Sequence, residues 1–458
     1  MSTRTDFRLY HANALEVLAG LLAAELRTPV AGQPLLAPEV VLIPQVAMRR
    51  WLQATLAQAH GVAANLEFLT PGEFVQRALD ANVPGAGEDL DAAALHWRVH
   101  AALADPALMR QPLMRPLRAY LDAGAADPLR AWSLAGELAQ ALEKYKAWRR
   151  DWLLGWEAGQ DPREPQALLW RHVAAGGAHR ARRITAYLDG FGGDDASLPQ
   201  GLPRRLFAFA ILNVSPDVLR VIATQARVGT LHLYVPSQTR DYWGDLQRRR
   251  GGLDDGGGEN PLLQAWGAAG RDFMAVLGGY EVVHPDVEIR GDADPLEGGG
   301  ALHGGLLRRL QSDLFHRRPS PPPAPTADDP RTRLPALRRD DPSLQVHACH
   351  TRLRELQVLH DQLRALFDDP RFDPPLQPRE VAVLAPDIDP YLPYLDAVFG
   401  GRGRADASFH QAIPYAVADA SPLAGEPLAE VFLRLLGLPV ARFGLAETLD
   451  LLASPPLA

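Results

Sequence analysis

The chain has 458 residues, 47% hydrophobic and 22% charged, an ordinary globular composition long enough for two to four domains. Its formal net charge of −8 confines any nucleic-acid site to a local patch, and its one cysteine, Cys349, excludes a disulfide framework and any cysteine-rich zinc or iron–sulfur centre. No stretch approaches about 18 consecutive apolar residues, and no basic-then-apolar leader pattern opens the chain, so a cytoplasmic protein without membrane contact is expected.

The first element, FRLYHANALEVLAGLL (7–22), reads as a strand at 7–10, a tight turn and a helix. Many nucleotide-binding folds begin this way, but the turn His11-Ala12-Asn13-Ala14 has neither glycine nor lysine. Asn13 is placed as the helix N-cap, with Glu16 three residues on as a capping-box carboxylate. The amide donors that a phosphate needs are then already occupied.

Further buried strands are expected at 40–43, 206–212 and 231–235, each an apolar run leading into a helix, as in a parallel sheet of an α/β fold. The helix after the second carries Met48, Trp51, Leu52, Thr55, Leu56 and Ala59 at helical spacing and stops at Gly61. Between about 85 and 189 the pattern changes to leucine- and alanine-rich amphipathic helices without a strand, an all-helical insertion. After the third strand an ATPase of this layout would place paired acidic residues for magnesium. The sequence instead runs Ile211-Leu212-Asn213-Val214 into Ser215 and Pro216, the N-cap and first residue of the next helix. GGLDDGGGEN (251–260) is a flexible loop ending in the cap Asn260 before Pro261, and RRPSPPPAPTADDP (317–330) is an extended linker. A second α/β unit follows, with strands at 344–348 and 381–385 and helices at about 352–367 and 391–399. The chain reaches LLASPPLA shortly after another helix of that unit begins, so a piece of a longer polypeptide is expected.

Catalytic motifs are absent: there is no His-Glu-x-x-His and no Gly-x-Ser-x-Gly, PDID (386–389) has no following Glu-x-Lys, and Cys349 and His350 are strand neighbours pointing to opposite faces. Basic residues are the better candidates. Arg49 and Arg50 stand in the first turn of a helix, where the dipole disfavours cations unless an external anion offsets it. In LEKYKAWRRDWLLGW (142–156), Tyr145, Trp148, Trp152 and Trp156 recur at spacings of 3, 4 and 4 on one helical face among Lys144, Lys146, Arg149 and Arg150. Interleaved basic and aromatic groups can track a phosphate backbone and stack bases, although an aromatic stripe is more often core. HRARR (179–183) is a third basic stretch.

In order along the chain, YHANALEVL, WLQATLAQAHGVAANLEF, DYWGDL, NPLLQAWGAAGRDF, VHACHTRLRELQVLHDQL, VAVLAPDIDPYLPYLDAVFG and IPYAVAD closely resemble the RecC family, the gamma subunit of exodeoxyribonuclease V, the RecBCD helicase–nuclease. The resemblance implies an inactivated superfamily 1 helicase-like α/β fold. Residues 1–84 and 195–316 would be two parts of the first motor-like domain, 85–194 its helical insertion, 317–342 a linker, and 343–458 the start of a second motor-like domain. It implies a non-catalytic scaffold for RecB-like and RecD-like partners in double-strand-break repair and homologous recombination. Such a scaffold splits duplex ends, channels the 3′-ended single strand and scans it for Chi, while ATP and magnesium are used by the partners and no cofactor by this subunit. Chi-reading positions in the family fall at Pro44, Gln45, Val46 and Arg50, at Thr70 and Gln76, at Gln140, Glu143 and Arg149, and at Arg180. Arg149 and Arg180 fit the family pattern; Pro44, Val46, Arg50, Thr70 and Gln76 depart from it, which bears on the sequence recognised. The competing readings are a protein–protein adaptor that never touches DNA and an active helicase or nuclease.

Overall fold

The computed structural model describes residues 6–456 apart from 31, 35, 85–89, 124–127, 176, 178, 194–195, 247–258, 279–284, 300–303, 320–339, 401–411, 419–425 and 455. The chain divides into two compact units, Met1–Glu297 with Leu310–Pro335, and Gly298–Arg309 with Ala336–Ala458.

The first unit is built on six parallel strands, β1 (Asp6–Ala12), β2 (Glu39–Leu42), β3 (Leu66–Leu69), β4 (Arg205–Phe209), β5 (Thr230–Pro236) and β6 (Val287–Arg290), in the order β3-β2-β4-β5-β1-β6. The four strands expected from the sequence are the four inner ones. Each has neighbours on both sides and layers on both faces, which demands near-continuous apolar residues. The two edge strands were not expected: β3 is only half-buried and β6 is exposed throughout, so both carry charged residues such as Glu67, Glu288 and Arg290.

Helices α1 (Leu15–Leu26), α2 (Val46–His60) and α3 (Pro71–Asn82) follow β1, β2 and β3. Period-two alternation splits the sheet into two cores. Tyr10, Val41, Phe207, Phe209 and Tyr234 face Leu18 and Leu22 of α1 and Leu52 and Leu56 of α2. Phe7, Leu9, Val40, Leu206, Leu231 and Leu233 face Phe74 of α3 together with Leu219, Ile222 and Phe273. As expected, α2 ends at Gly61, which takes a positive φ of 82° that suits glycine.

Residues between 92 and 191 form α4 (Ala92–Ala104), α5 (Pro106–Met109), α6 (Arg115–Asp122), α7 (Pro128–Trp148), α8 (Arg150–Glu157), α9 (Pro165–Val173) and α10 (Arg180–Phe191). Leu95, Val99, Leu142, Leu153, Trp156 and Trp170 make their shared core. A smaller cluster of Val75, Leu79, Ile184, Tyr187 and Val221 joins α3 and α10 to α11 (Pro216–Ala223). Ser215 caps α11, its Oγ accepting from the amide of Val218, and Pro216 fills the first position, as expected. The next helices are α12 (Pro261–Trp266), capped by Asn260 as expected, α13 (Ala268–Gly278) and α14 (Leu306–Phe315).

Four expectations are corrected. Asn13 is not the N-cap of α1: Ala14 occupies that position without a side-chain bond, and Asn13 exchanges hydrogen bonds with the backbone of Ala293, Nδ2 donating to its carbonyl at 2.7 Å. The strand expected at 206–212 stops at Phe209, because Ala210 turns to a φ of 54° after its amide makes a last bond to β5 at Tyr234 O. In the second unit neither 344–348 nor 381–385 forms a strand, since no described segment pairs with them, and Val346 and Leu384 are almost fully exposed. That unit instead packs α15 (Arg352–Phe367), capped by Thr351, on α16 (Leu392–Phe399) through Leu356, Leu363, Phe399 and Ile413. Tyr391 belongs to a 3-10 turn before α16 rather than to the helix, and α17 (Pro427–Gly437) and α18 (Leu445–Leu452) follow. The expected loop at 251–258 and most of the expected linker, 320–339, lie outside the described residues.

Candidate nucleic-acid interface

Three turns lie side by side at the carboxyl ends of the adjacent strands β3, β2 and β4, the edge at which open parallel sheets place their ligands. The turn after β2 carries Pro44, Gln45 and Val46, all exposed. Gln45 is the N-cap residue of α2 but caps with its backbone, its carbonyl accepting from Met48 N at 3.1 Å, so its amide side chain is not used in the cap. Arg49 and Arg50 follow in the first turn and are exposed; the Arg49 guanidinium lies 5.7 Å from the centre of the Phe68 ring on β3. With Val46, Gln53, Ala57 and Ala63 they line an open groove along α2.

The turn after β3 is committed differently. Thr70 caps α3 in a complete capping box: its Oγ1 accepts from Glu73 N at 3.3 Å, and Glu73 Oε2 accepts from Thr70 N at 2.6 Å. That backbone bond and the Thr70 hydroxyl hold the Glu73 carboxyl below its ordinary value. The pattern Thr-Pro-Gly-Glu at 70–73 announces this cap in the sequence. Gln76, farther along α3, donates from Nε2 to Asp80 Oδ1 at 2.9 Å.

The helical layer meets the same edge through a break at Arg149. The expected single aromatic face from 142 to 156 is interrupted here: α7 ends at Trp148, Arg149 takes φ −139° and ψ 45° as N-cap, and α8 starts at Arg150. The stripe divides accordingly. Trp156 is buried core and Tyr145 packs beside it, whereas Trp148 and Trp152 are 44% and 45% exposed. Arg149 is exposed, with its guanidinium carbon 5.3 Å from the Trp152 ring centre and Nη1 donating to Trp148 O at 3.1 Å. Arg150 points the other way. It pairs with Asp217 at 3.1 Å and donates to Thr185 Oγ1 at 3.1 Å, tying α8 to α10 and to the first turn of α11, just beyond β4. Burial raises the Asp217 carboxyl, opposed by Arg150 and Arg220. Upstream on α7, Gln140 is exposed, Glu143 pairs with the buried Lys146 at 2.6 Å, and Lys146 also donates to Leu90 O.

The basic stretch 179–183 is largely neutralised. Buried His179 donates from Nε2 to Glu157 Oε1 at 2.6 Å, Arg182 donates to Glu157 Oε2 at 2.7 Å, and Trp170 Nε1 donates to Glu157 Oε1 at 2.9 Å. Burial alone would raise the Glu157 carboxyl, but the His179 and Arg182 bonds outweigh it and hold it low. Arg183 is buried against Asp80 at 2.6 Å, and Arg180 is half-buried at the first position of α10. The sequence reading missed the carboxylates that make these pairs, Glu157, Asp80 and Asp217, because nothing in local spacing connects residues 103 positions apart, as Arg183 and Asp80 are.

The topology thus gathers Gln45, Arg50 and Thr70 at neighbouring strand ends, and the Arg150–Asp217 pair brings Arg149 to that edge. Gln76 lies beyond it along α3, and Gln140 and Glu143 lie back along α7. At the β1 end, the turn before α1 is filled by the segment after β6: a Cβ at Gly291 would stand 2.6 Å from Val17 Cγ1, and buried His11 lies 3.5 Å from Glu288. Among the described residues no group of three or more His, Cys, Asp or Glu side chains is placed to hold a metal ion, and no helix is long and apolar enough to cross a membrane.

Over 501 aligned residues the chain is 29% identical to the RecBCD enzyme subunit RecC of Escherichia coli (strain K12), covering 98% of this chain and 43% of that protein. It is 25% identical to the subunit of the same name from Haemophilus influenzae over 98% of this chain and 44% of the relative, and 28% identical to that of Mycolicibacterium smegmatis over 98% and 40%. The chain therefore spans less than half the length of these relatives. Residues 7–317, more than half of the chain, match the family model described as RecC, N-terminal domain, and the chain belongs to the RecC family.

Proposed function

We propose that the chain forms the DNA-contacting part of a non-catalytic scaffold subunit of a RecBCD-type helicase–nuclease, acting in double-strand-break repair and homologous recombination. The observation that carries this reading is the α7–α8 elbow, where exposed Arg149 and Trp152 are tethered through Arg150 and Asp217 to the sheet edge that also bears Gln45 and Arg50. Exposed cations and rings beside a sheet edge suit a single strand, whose phosphates need positive charge and whose bases need flat apolar faces.

On this reading the sheet is that of a superfamily 1 helicase that has lost its nucleotide chemistry. The β1 turn, without glycine or lysine, is filled by 291–293, and the first carboxylate beyond β4, Asp217, is engaged by Arg150 and Arg220. ATP and magnesium belong to RecB-like and RecD-like partners in the cytoplasm. The subunit splits the duplex, channels the 3′-ended strand and scans it for Chi with residues drawn from Gln45, Arg50, Thr70, Gln76, Gln140, Glu143, Arg149 and Arg180. Arg149 reads bases, while Arg180 contacts phosphate. The departures at Arg50, Thr70 and Gln76 fit recognition of a different Chi sequence.

The test is single-strand binding and Chi response by the reconstituted complex across a salt series. Arg180→Ala should weaken all sequences alike and lower the slope of log affinity against log salt by about 0.7. Arg149→Ala should cost about 1–3 kcal/mol for particular sequences only. The neutralised stretch 179–183 favours the adaptor reading instead. Unchanged affinity, slope and Chi response in both variants would remove these residues from the channel and leave the adaptor reading ahead.

A further inference from the structure

Two half-exposed tryptophans flanking one exposed arginine are costly on a surface whose neighbouring aromatic, Trp156, is fully packed. The Arg149 guanidinium lies over the Trp152 ring, and its Nη1 reaches back to Trp148 O. Tyr145 meets Trp152 edge-on at 5.5 Å and Trp156 lies 6.3 Å away, so the indole is held in place from the core side. Arg150 pins the elbow from below through Asp217 and Thr185. The ring is therefore held from the core side, half in solvent, and covered by an exposed guanidinium that donates to one backbone carbonyl.

We infer that Trp152 is a base-stacking residue for unpaired nucleotides and that Arg149 is its placeholder: on binding, a base takes the ring face and the guanidinium passes to the edge of a neighbouring base. The inference rests on the single-strand reading above. A base stacked on an aromatic ring outweighs an exposed cation–π contact, so the exchange runs toward the bound state. The released guanidinium also gains hydrogen-bond acceptors on a base edge, which a ring face does not offer. The ring stacks any base while the guanidinium reads the edge of its neighbour, so stacking holds the strand in register for base reading.

The experiment uses the full-length subunit assembled with its partners and held without nucleotide. It compares an oligothymidine with an abasic strand of the same length, and maps photo-adducts from a strand carrying 5-iodouracil. Wild type should prefer the base-bearing strand and give an adduct at Trp152. Trp152→Leu keeps apolar bulk against Tyr145 and Trp156 but removes the ring; it should lose roughly 5- to 150-fold in affinity for oligothymidine, leave abasic binding unchanged and abolish the adduct. Trp152→Phe should restore much of the preference. Arg149→Ala should keep the adduct and the preference for oligothymidine over the abasic strand, and should lose affinity for particular sequences only. If Trp152→Leu leaves oligothymidine affinity and the adduct intact while Arg149→Ala still weakens particular sequences, the stacking role is overturned and the single-strand reading stands. If neither variant changes anything, both fall.

Discussion

Two arginine-rich stretches of this chain look alike in sequence and behave oppositely in the fold. At 179–183 the charges turn inward: His179 and Arg182 close on Glu157, and Arg183 is buried against Asp80. At 149–150 the charges divide, Arg150 bridging to Asp217 and Arg149 remaining exposed over Trp152. The difference lies in what surrounds each helix start. α10 begins between α8 and α3, which supply carboxylates, whereas Arg149 sits at a break that faces solvent. Linear charge density therefore says little about free charge; the partner inventory decides it.

The sharpest way to break this comparison is to remove the carboxylate at the centre of the inward cluster. Glu157→Ala leaves His179 and the Trp170 indole N–H unpartnered in the interior. It should destabilise the first unit by about 3–5 kcal/mol, read as a lower denaturation midpoint. An unchanged midpoint would show that 179–183 is surface decoration. Next in size is Asp217→Ala, which strips half-buried Arg150 of its ion pair and should cost about 1–3 kcal/mol. Hydrogen exchange should then accelerate in α8 while α10 keeps its protection; uniform acceleration would mean that the tether is not local.

A smaller effect appears on acidification. The Glu157 carboxyl is held below its ordinary value of 4.5 by His179 and Arg182, against the opposing effect of burial. Its contribution is fully present above that value and is lost as pH falls through the lower native one, because the unfolded chain takes up the proton first. Denaturation midpoints should decline on the acid side in wild type and less steeply in Glu157→Gln; parallel curves would contradict the cluster. The smallest stability effect belongs to the outward residue. Arg149→Ala should leave stability within about 0.5 kcal/mol, and a larger loss would place Arg149 among the structural cations.

How far the sequence anticipated this depends on burial. β1, β2, β4 and β5 were legible because strands covered on both faces must be apolar, while β3 and β6 were not, since LEFL and VEIR at the sheet edges mix charge with short length. The same rule misleads in the second unit, where the apolar runs at 344–348 and 381–385 find no ladder partner among the described residues. Of the candidate site, the separation of Arg149 from the buried Trp156 could not be read, because helical spacing assumes one continuous helix and the chain breaks between them. The Thr70 cap was written in the sequence as Thr-Pro-Gly-Glu; Asn13 had an equally good cap signature, yet Ala293, brought 280 positions along the chain, competed for its side chain. Local signals survive where no distant partner outbids them.

The place of β1 inside the sheet has a consequence for synthesis. It is made before the other five strands of the sheet, yet Asp6 finds its register partner Thr230 only 224 residues later, and Arg8 finds Val287 later still. At translation rates of about 5–20 residues per second that is a wait of roughly 10–45 s. Throughout it, β1 has neither of its ladder partners, β5 and β6. β1 is therefore the strand of this sheet most exposed to wrong pairing, and slowing elongation between residues 12 and 230 should lower the yield of folded protein more than an equal pause after residue 290.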